Sequence, residues 1–146
     1  MAPEERALLL SLRPRFAELV LAGAKTVELR RVRPTIPPGA VALIYASAPT
    51  CALLGVAAVV AVHVADRERI WRRHGRHTGI TRTEYDAYFE GASDAVAITL
   101  TAVHRLPRPV PLPELRRGRE WFHPPQSFRY LDPAQIASLG IVPGLA

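Results

Sequence analysis

Apolar residues along the chain follow the strand period and the helix period in turn. Residues 7–12 predict a first strand. After Pro14, apolar residues recur at helical spacing until Gly23, which predicts a first helix and its end. Two uncharged segments, 41–47 and 52–65, are rich in residues that favour strands and predict two buried strands.

The second half of the chain carries clearer helix signals. Asp66 can cap a short helix, and Thr81 with Glu84 forms a capping box for another. A long strand is predicted over residues 94–106, followed by a proline-rich turn and an extended aromatic segment. Asp132 then begins a last short helix.

The order of these elements predicts the fold class. The strands are mostly not separated by helices, which argues against a parallel doubly wound sheet. We therefore predict an α+β fold, a small and mostly antiparallel β-barrel with flanking helices. The 146 residues predict a single domain, 1–146, with a core of about 7–131 and a short C-terminal helix and tail over 132–146.

One uncharged run, residues 40–65, is long enough to span a bilayer. Pro49 marks a turn in its middle, so we predict two strands and no membrane insertion. The N-terminus places acidic residues before a short apolar run, unlike a signal peptide. The single cysteine, Cys51, excludes an internal disulfide and a cysteine-based zinc site. We therefore expect a cytoplasmic protein.

The strand predicted over residues 25–31, KTVELRR, is unusually charged for a segment next to the core. Strand alternation divides it into two faces. The face predicted to meet the core, through Val27 and Leu29, also holds Lys25 and Arg31. The opposite face holds Thr26, Glu28 and Arg30.

Glu28 and Arg30 can pair in a cleft on their shared face. An arginine held by a carboxylate is pre-organised to bind a phosphate or a base edge, and a glutamate can accept from the amino group of cytosine. Lys25 is the only lysine among 19 basic residues. It can serve as a phosphate contact or as a general base, because the pKa of a lysine falls on burial. The alternative is a structural ion pair that closes the barrel mouth.

The chain is basic, with a formal net charge of +6 and a pI near 10.4. Its abundant Ala, Arg, Pro and Gly are typical of a GC-rich genome and account for the use of arginine over lysine. They do not account for the clustering of arginines within residues 67–82. We predict phosphate contacts there, with a solvated charged face as the alternative. The candidates are Arg69, Arg72, Arg73 and Arg76.

Four segments in this order resemble ASCH-domain proteins, a branch of the PUA-like superfamily. They are LLLSLRPRFAELVLAGAKTVELRR, IYASAP, GITRTEYDAYFEG and PPQSFRYL, and they extend from about Leu8 to Leu131. The resemblance implies a five- or six-stranded β-barrel with a cleft beside the first helix. It also implies RNA binding, with a link to translation or RNA regulation. Some proteins of this type are similar to amidohydrolases acting on acetylated cytidine, and nuclease activity is attributed to others.

The resemblance to the hydrolytic members is incomplete at one position. They carry a threonine three positions after the lysine, where this chain has Glu28. This difference weakens the prediction of an amidohydrolase, although Glu28 or Lys25 can still activate a water. If the protein is an enzyme, these two residues are the predicted catalytic groups.

Further candidate ligand groups lie at predicted strand ends and in the last aromatic segment. We predict that they surround the same cleft: Ser11, Arg13, Tyr45, Ser47, Gln126 and Ser127. Gln126 and Ser127 are suited to hydrogen bonds with a base. His74 and His77 have a spacing seen in metal sites but no nearby Cys or Asp partner, so we predict no metal and no cofactor.

The sequence therefore predicts a binding module that takes RNA, a nucleotide or a nucleoside, with DNA as a further partner. Three alternatives stay open: a hydrolase acting on a modified nucleoside, an RNA nuclease, and a ligand-sensing regulator that touches nucleic acid through residues 67–82. The sequence predicts neither the base that is bound nor an oligomeric state.

Overall fold

The structure is a computed structural model and describes residues 6–141. Its strands are β1 (Ala7–Leu12), β2 (Val27–Arg30), β3 (Val41–Ala46), β4 (Ala52–Asp66), β5 (Asp94–Pro111) and β6 (Phe128–Leu131). Its helices are α1 (Pro14–Leu21), α2 (Arg67–His74), α3 (Arg82–Tyr88), α4 (Leu112–Arg116) and α5 (Pro133–Leu139). A 3₁₀ turn, Gly75–His77, follows α2 directly.

The six strands form one curled sheet, a half-barrel, in the order β2-β5-β4-β3-β1-β6. β1 and β3 are parallel, and the other neighbouring pairs are antiparallel. The predicted α+β class and mostly antiparallel sheet are therefore confirmed. The two end strands, β2 and β6, are not paired with each other within the described residues, so the sheet curls without closing.

The uncharged run 40–65 forms β3 and β4, as predicted. The two strands pair antiparallel across the turn that contains Pro49. Within residues 6–141, no helix combines the length and the apolar character needed to cross a membrane.

The proline-rich segment after residue 106 is not the predicted turn, because β5 continues through it to Pro111. Val110 and Pro111 pair with Leu53 and Ala52 of β4. β2 pairs only with residues 96–99 of β5, so the far end of β5 has β4 as its one neighbour. Proline lacks an N–H donor and is tolerated at such an edge.

Three apolar clusters pack against the sheet. The first joins β1, β3, β4 and β5 to α1 through Val20. The second packs α4 and α5 against the other side of β1 and β3 through Leu115 and Ile136. The third packs α2 and α3 against β2 and β5 through Ile70 and Tyr85. β2 is therefore covered on both faces, although it is an end strand.

The helix starts follow the signals read from the sequence. Asp66 accepts a hydrogen bond from the Arg69 N–H at 3.0 Å, and Thr81 and Glu84 form the predicted capping box. Asp132 caps α5 in the same way. Since a capping side chain satisfies N–H groups that the helix leaves free, these residues fix where α2, α3 and α5 begin.

Candidate nucleic-acid site

A pocket of about 930 Å³ lies where β1 ends and α1 begins. Because β1 and β3 are parallel, both leave the sheet at this edge, with Ser11 beside Tyr45 in the register. α3 supplies another wall of the pocket, and residues 124–127 supply a third. The volume lies within the range of small-molecule and cofactor sites.

Three charged side chains line this pocket in a buried row. The Lys25 Nζ lies 3.5 Å from the Glu28 Oε2, and the Arg30 Nη2 lies 3.5 Å from the Glu28 Oε1. The three side chains are only 3%, 7% and 10% exposed, respectively. Glu28 thus holds two cations in a place from which water is largely excluded.

The face of β2 that carries Glu28 and Arg30 was predicted to point away from the core, and this is wrong. Glu28 pairs with Ile98 and Arg30 with Val96, both of which belong to the cluster around α1. Residues directly opposite each other on antiparallel strands share a face, so the charged face is the inner one. Val27 and Leu29, on the opposite face, pack outward against α2 and α3.

Lys25 was predicted on the face opposite Glu28, and this is also wrong. β2 begins only at Val27, so strand alternation does not extend back to Lys25. Its Nζ donates to the Thr78 carbonyl at 2.5 Å and lies 5.3 Å from the centre of the Phe16 ring. Burial lowers the pKa of Lys25, and the Glu28 carboxylate partly opposes that shift.

Glu28 and Arg30 retain unused hydrogen-bonding atoms. The Arg30 Nη2 donates to the Ser11 carbonyl at 3.0 Å, which ties β2 to β1. The Glu28 Oε2 and the Arg30 Nε are buried and have no hydrogen-bond partner within residues 6–141. Buried polar atoms in folded proteins are nearly always partnered, so these two atoms mark a place for a ligand or an ordered water.

The remaining predicted ligand groups collect at the ends of β1 and β3. The Ser11 N–H donates to the Ser127 carbonyl at 3.0 Å, and the Ser47 N–H donates to the Leu12 carbonyl at 2.8 Å. These bonds draw the segments that follow β3 and precede β6 onto the end of β1. The predicted residues that line the pocket here are Ser11, Arg13, Tyr45, Ser47, Gln126 and Ser127.

Tyr45 is a buried phenol in this wall. Burial raises the pKa of Tyr45 to about 12, and the neighbouring Cys51 contributes to the rise. The hydroxyl therefore stays protonated at neutral pH, where it can donate a hydrogen bond to a ligand but cannot act as a base.

The family model of the ASCH domain matches residues 10–104, more than half of the chain. This chain belongs to the ASCH domain family. The predicted family and its PUA-like fold are thereby confirmed. A curated relative, the ASCH domain-containing ribonuclease of Zymomonas mobilis subsp. mobilis, is 36% identical over 137 residues, which cover 94% of this chain and 92% of the relative.

Solved structures share the fold of this ASCH domain. The crystal structure of ASCH from Zymomonas mobilis matches with a TM-score of 0.87 at 34% identity, covering 92% of this chain and 93% of that one. A serine-to-alanine variant of ZmASCH matches with a TM-score of 0.88 at 33% identity, covering 95% and 97%. Human THYN1 in complex with DNA containing 5-methylcytosine shares the fold alone, with a TM-score of 0.57 at 13% identity, covering 92% and 95%.

Two sets of predicted residues of the ASCH domain lie outside the pocket. Thr26 is exposed, and its N–H donates to the His77 carbonyl at 3.0 Å. Four arginines of α2 and the 3₁₀ turn are also exposed, and the segment that carries them contacts the pocket residue Lys25 through the Thr78 carbonyl. These arginines are Arg69, Arg72, Arg73 and Arg76.

The two histidines with metal-like spacing have different surroundings. His74 is buried and stacks on His63 with ring centres 5.2 Å apart, whereas His77 is exposed and accepts a hydrogen bond from the Arg76 Nε. Within residues 6–141, no group of three or more His, Cys, Asp or Glu side chains is placed to hold a metal ion.

Several lining residues were missed by sequence reasoning. They are Phe16, Cys51, Ile80, Glu84 and Tyr88. The capping box predicted α3 but gave no sign that this helix faces α1. In the structure the Arg15 Nη1 lies 3.0 Å from the Glu84 Oε2, which links the two helices beside the pocket.

Proposed function

We propose that this ASCH domain binds single-stranded RNA and holds one nucleotide of it in the pocket. The observation that supports the proposal is the buried row of Lys25, Glu28 and Arg30, which lines the pocket and leaves one carboxylate oxygen and one guanidinium N–H without a hydrogen-bond partner within the described residues. A carboxylate accepts from base amino groups, and a guanidinium donates to phosphates or base edges. Single strands are the form of RNA whose bases are free to enter a pocket.

The sequence similarity to the ASCH domain-containing ribonuclease of Zymomonas mobilis supports RNA as the ligand class. We further propose that the exposed arginines on α2 and the 3₁₀ turn contact the RNA backbone next to the pocket, because phosphate contacts supply most of the sequence-independent affinity for nucleic acid. Such phosphate contacts also suit DNA, which we propose as a further partner, and we expect the protein in the cytoplasm.

A steric block of the pocket tests this proposal. Ser47 lines the pocket, so Ser47→Trp should fill it and weaken the binding of a fluorescent single-stranded RNA by about tenfold or more. Ser93 is exposed and lies outside the pocket, so Ser93→Trp is the matched control and should bind like the native protein. Equal affinities of the two variants, or no RNA binding by the native protein, would contradict the proposal.

RNA cleavage is a second candidate function, favoured by the ribonuclease relative and by the lowered pKa of Lys25. A neutral Lys25 can take the proton of a ribose 2′-hydroxyl. The 2′-oxygen then bonds to the phosphorus while the bond from phosphorus to the 5′-oxygen breaks, and the leaving oxygen takes a proton from solvent water. The products are a 2′,3′-cyclic phosphate and a 5′-hydroxyl end.

Lys25→Arg separates binding from cleavage. Arginine keeps the positive charge but is not deprotonated in proteins, so a general base at this position is lost. We expect the variant to bind RNA within about tenfold of the native affinity and to lose cleavage. Lys25→Met is the companion variant without added bulk and should also lose cleavage. Cleavage that persists in both variants would remove Lys25 from the mechanism.

Hydrolysis of an acetylated cytidine is not favoured by the site. Glu28 occupies the position where the hydrolytic relatives carry a threonine. Thr26, the nearest threonine in the sequence, is exposed and does not line the pocket.

A further inference from the structure

The pocket is lined by more positive than negative side chains. Its cations are Arg13, Lys25 and Arg30, and its carboxylates are Glu28 and Glu84. Glu84 also pairs with Arg15, a residue outside the pocket, at 3.0 Å. An excess of positive charge in a place with little water favours an anionic ligand over a neutral one.

The hydrogen-bond donors of the pocket concentrate at one end, the corner between β1 and α1. α1 follows Arg13, whose side chain makes no capping hydrogen bond, and Pro14 has no N–H. The Phe16 and Ala17 N–H groups both donate to the Arg13 carbonyl, so this end of α1 offers an anion its positive helix dipole and not a row of free N–H groups. Arg13 and Phe16 line the pocket at this corner.

Arg30 reaches the same corner from β2. Its Nη2 donates to the carbonyl of Ser11, two residues before Arg13, and its side chain is nine-tenths buried. The contact with Glu28 is long, at 3.5 Å, and the Arg30 Nε has no partner within the described residues. A buried guanidinium with an open donor beside a helix N-terminus is suited to an anion with several acceptor oxygens.

Two hydroxyl groups complete the surroundings of this corner. Ser47 and Ser127 line the pocket. Both are held against the end of β1, because the Ser47 N–H donates to the Leu12 carbonyl and the Ser127 carbonyl accepts from the Ser11 N–H.

We propose that the corner between β1 and α1 is a phosphate-binding subsite, so that the pocket takes a phosphate-bearing nucleotide and not an uncharged nucleoside. The phosphate accepts from the guanidinium groups of Arg13 and Arg30 beside the positive end of α1, and the rest of the nucleotide lies towards Lys25 and Glu28. This inference rests on the proposed RNA function and assigns one end of its pocket. The phosphate can belong to an RNA chain or to a free mononucleotide.

Competition for a fluorescent single-stranded RNA tests the subsite. The competitors are ribonucleosides, their 3′- and 5′-monophosphates, and a trinucleotide without terminal phosphates. We expect at least one phosphate-bearing competitor to bind about tenfold or more tightly than the matching nucleoside. Tighter binding of a monophosphate would assign the subsite to a terminal phosphate. Tighter binding of the trinucleotide would assign it to a phosphate within the RNA chain.

Arg13→Ala and Arg15→Ala are matched variants. Arg13 directly precedes α1, and Arg15 lies in its first turn; both side chains are exposed. Each substitution removes one positive charge, but only Arg13 lines the pocket. Arg13→Ala should lose most of the preference for phosphate-bearing competitors over the matching nucleosides. Arg15→Ala should retain the preference.

The outcomes separate the two proposals. Equal binding of nucleosides and phosphate-bearing competitors, or equal losses in the two variants, would overturn the subsite while RNA binding stands. A native protein that binds no RNA would overturn the proposed function and the subsite together.

Discussion

At the scale of single residues, Glu28 is a buried carboxylate that lies between two cations. It lies 3.5 Å from both the Lys25 Nζ and the Arg30 Nη2 and is 7% exposed. Buried ion pairs are weak evidence for stability, because the loss of hydration offsets the attraction. Removal of one partner strongly destabilises the folded state, because it leaves a charge that is neither hydrated nor paired.

Glu28→Gln keeps the shape of the side chain and removes its charge, leaving two cations close together. We expect the free energy of unfolding to fall by about 3–5 kcal/mol, measured by urea denaturation. Glu18→Gln is the control, because Glu18 pairs with Arg105 at 2.8 Å but is 56% exposed. It should cost less than about 1 kcal/mol. Similar losses in both variants would show that the row of charges is not buried.

At the scale of elements, α2 presents arginines to solvent while its other side is fixed to the sheet. Asp66 caps it, and Ile70 is buried in the cluster with β2 and α3. Within residues 6–141, the ion pairs near this helix are made by Arg67 and Arg82. The four exposed arginines take no part in them: Arg69, Arg72, Arg73 and Arg76. Those four are therefore available to phosphates without loss of a described ion pair.

A variant in which four arginines are replaced by serine tests this surface. The replaced residues are Arg69, Arg72, Arg73 and Arg76. RNA binding should weaken, and the slope of log affinity against log salt should become shallower by about one unit for every phosphate that the variant no longer neutralises. The control set, also exposed and with the same change in charge, is Arg105, Arg108, Arg116 and Arg117. If both sets change the slope equally, net charge alone explains the effect.

At the scale of the whole molecule, His74 connects α2 to the long strand β4. Its ring is buried against His63, and its Nε2 has no hydrogen-bond partner within the described residues. Burial lowers the pKa of His74 below its usual 6.5, and the positive charges of His63, Arg73 and His77 act in the same direction. The folded protein therefore resists protonation of this ring.

Stability should depend on pH through His74. Between the lowered pKa and 6.5, the unfolded chain binds this proton and the folded chain does not. The contribution of His74 to the free energy of unfolding is therefore complete above pH 6.5 and decreases as the pH falls below 6.5. Thermal unfolding from about pH 8 to about pH 5 should show this loss, and His74→Phe, which keeps an aromatic ring, should reduce it. An unchanged pH dependence in the variant would contradict this role.

The sequence by itself determined most of the elements and singled out the central charges. Capping residues such as Asp66 and Thr81 and the apolar periods act within a few residues, so the starts of α2 and α3 were predicted correctly. Lys25, Glu28 and Arg30 were singled out as charges in a segment expected next to the core, and the structure brings all three to one pocket.

The tertiary structure decided which way those charges face. Alternation states which residues of β2 share a face, but the inner face depends on β5, whose Ile98 lies opposite Glu28 from far along the chain. The same holds for the pocket walls: Phe16 and Glu84 line one pocket only because folding brings α1 and α3 together, with the Arg15 Nη1 3.0 Å from the Glu84 Oε2. Local sequence patterns extend over a few residues, whereas these contacts join segments that are distant in sequence, so folding alone fixes them.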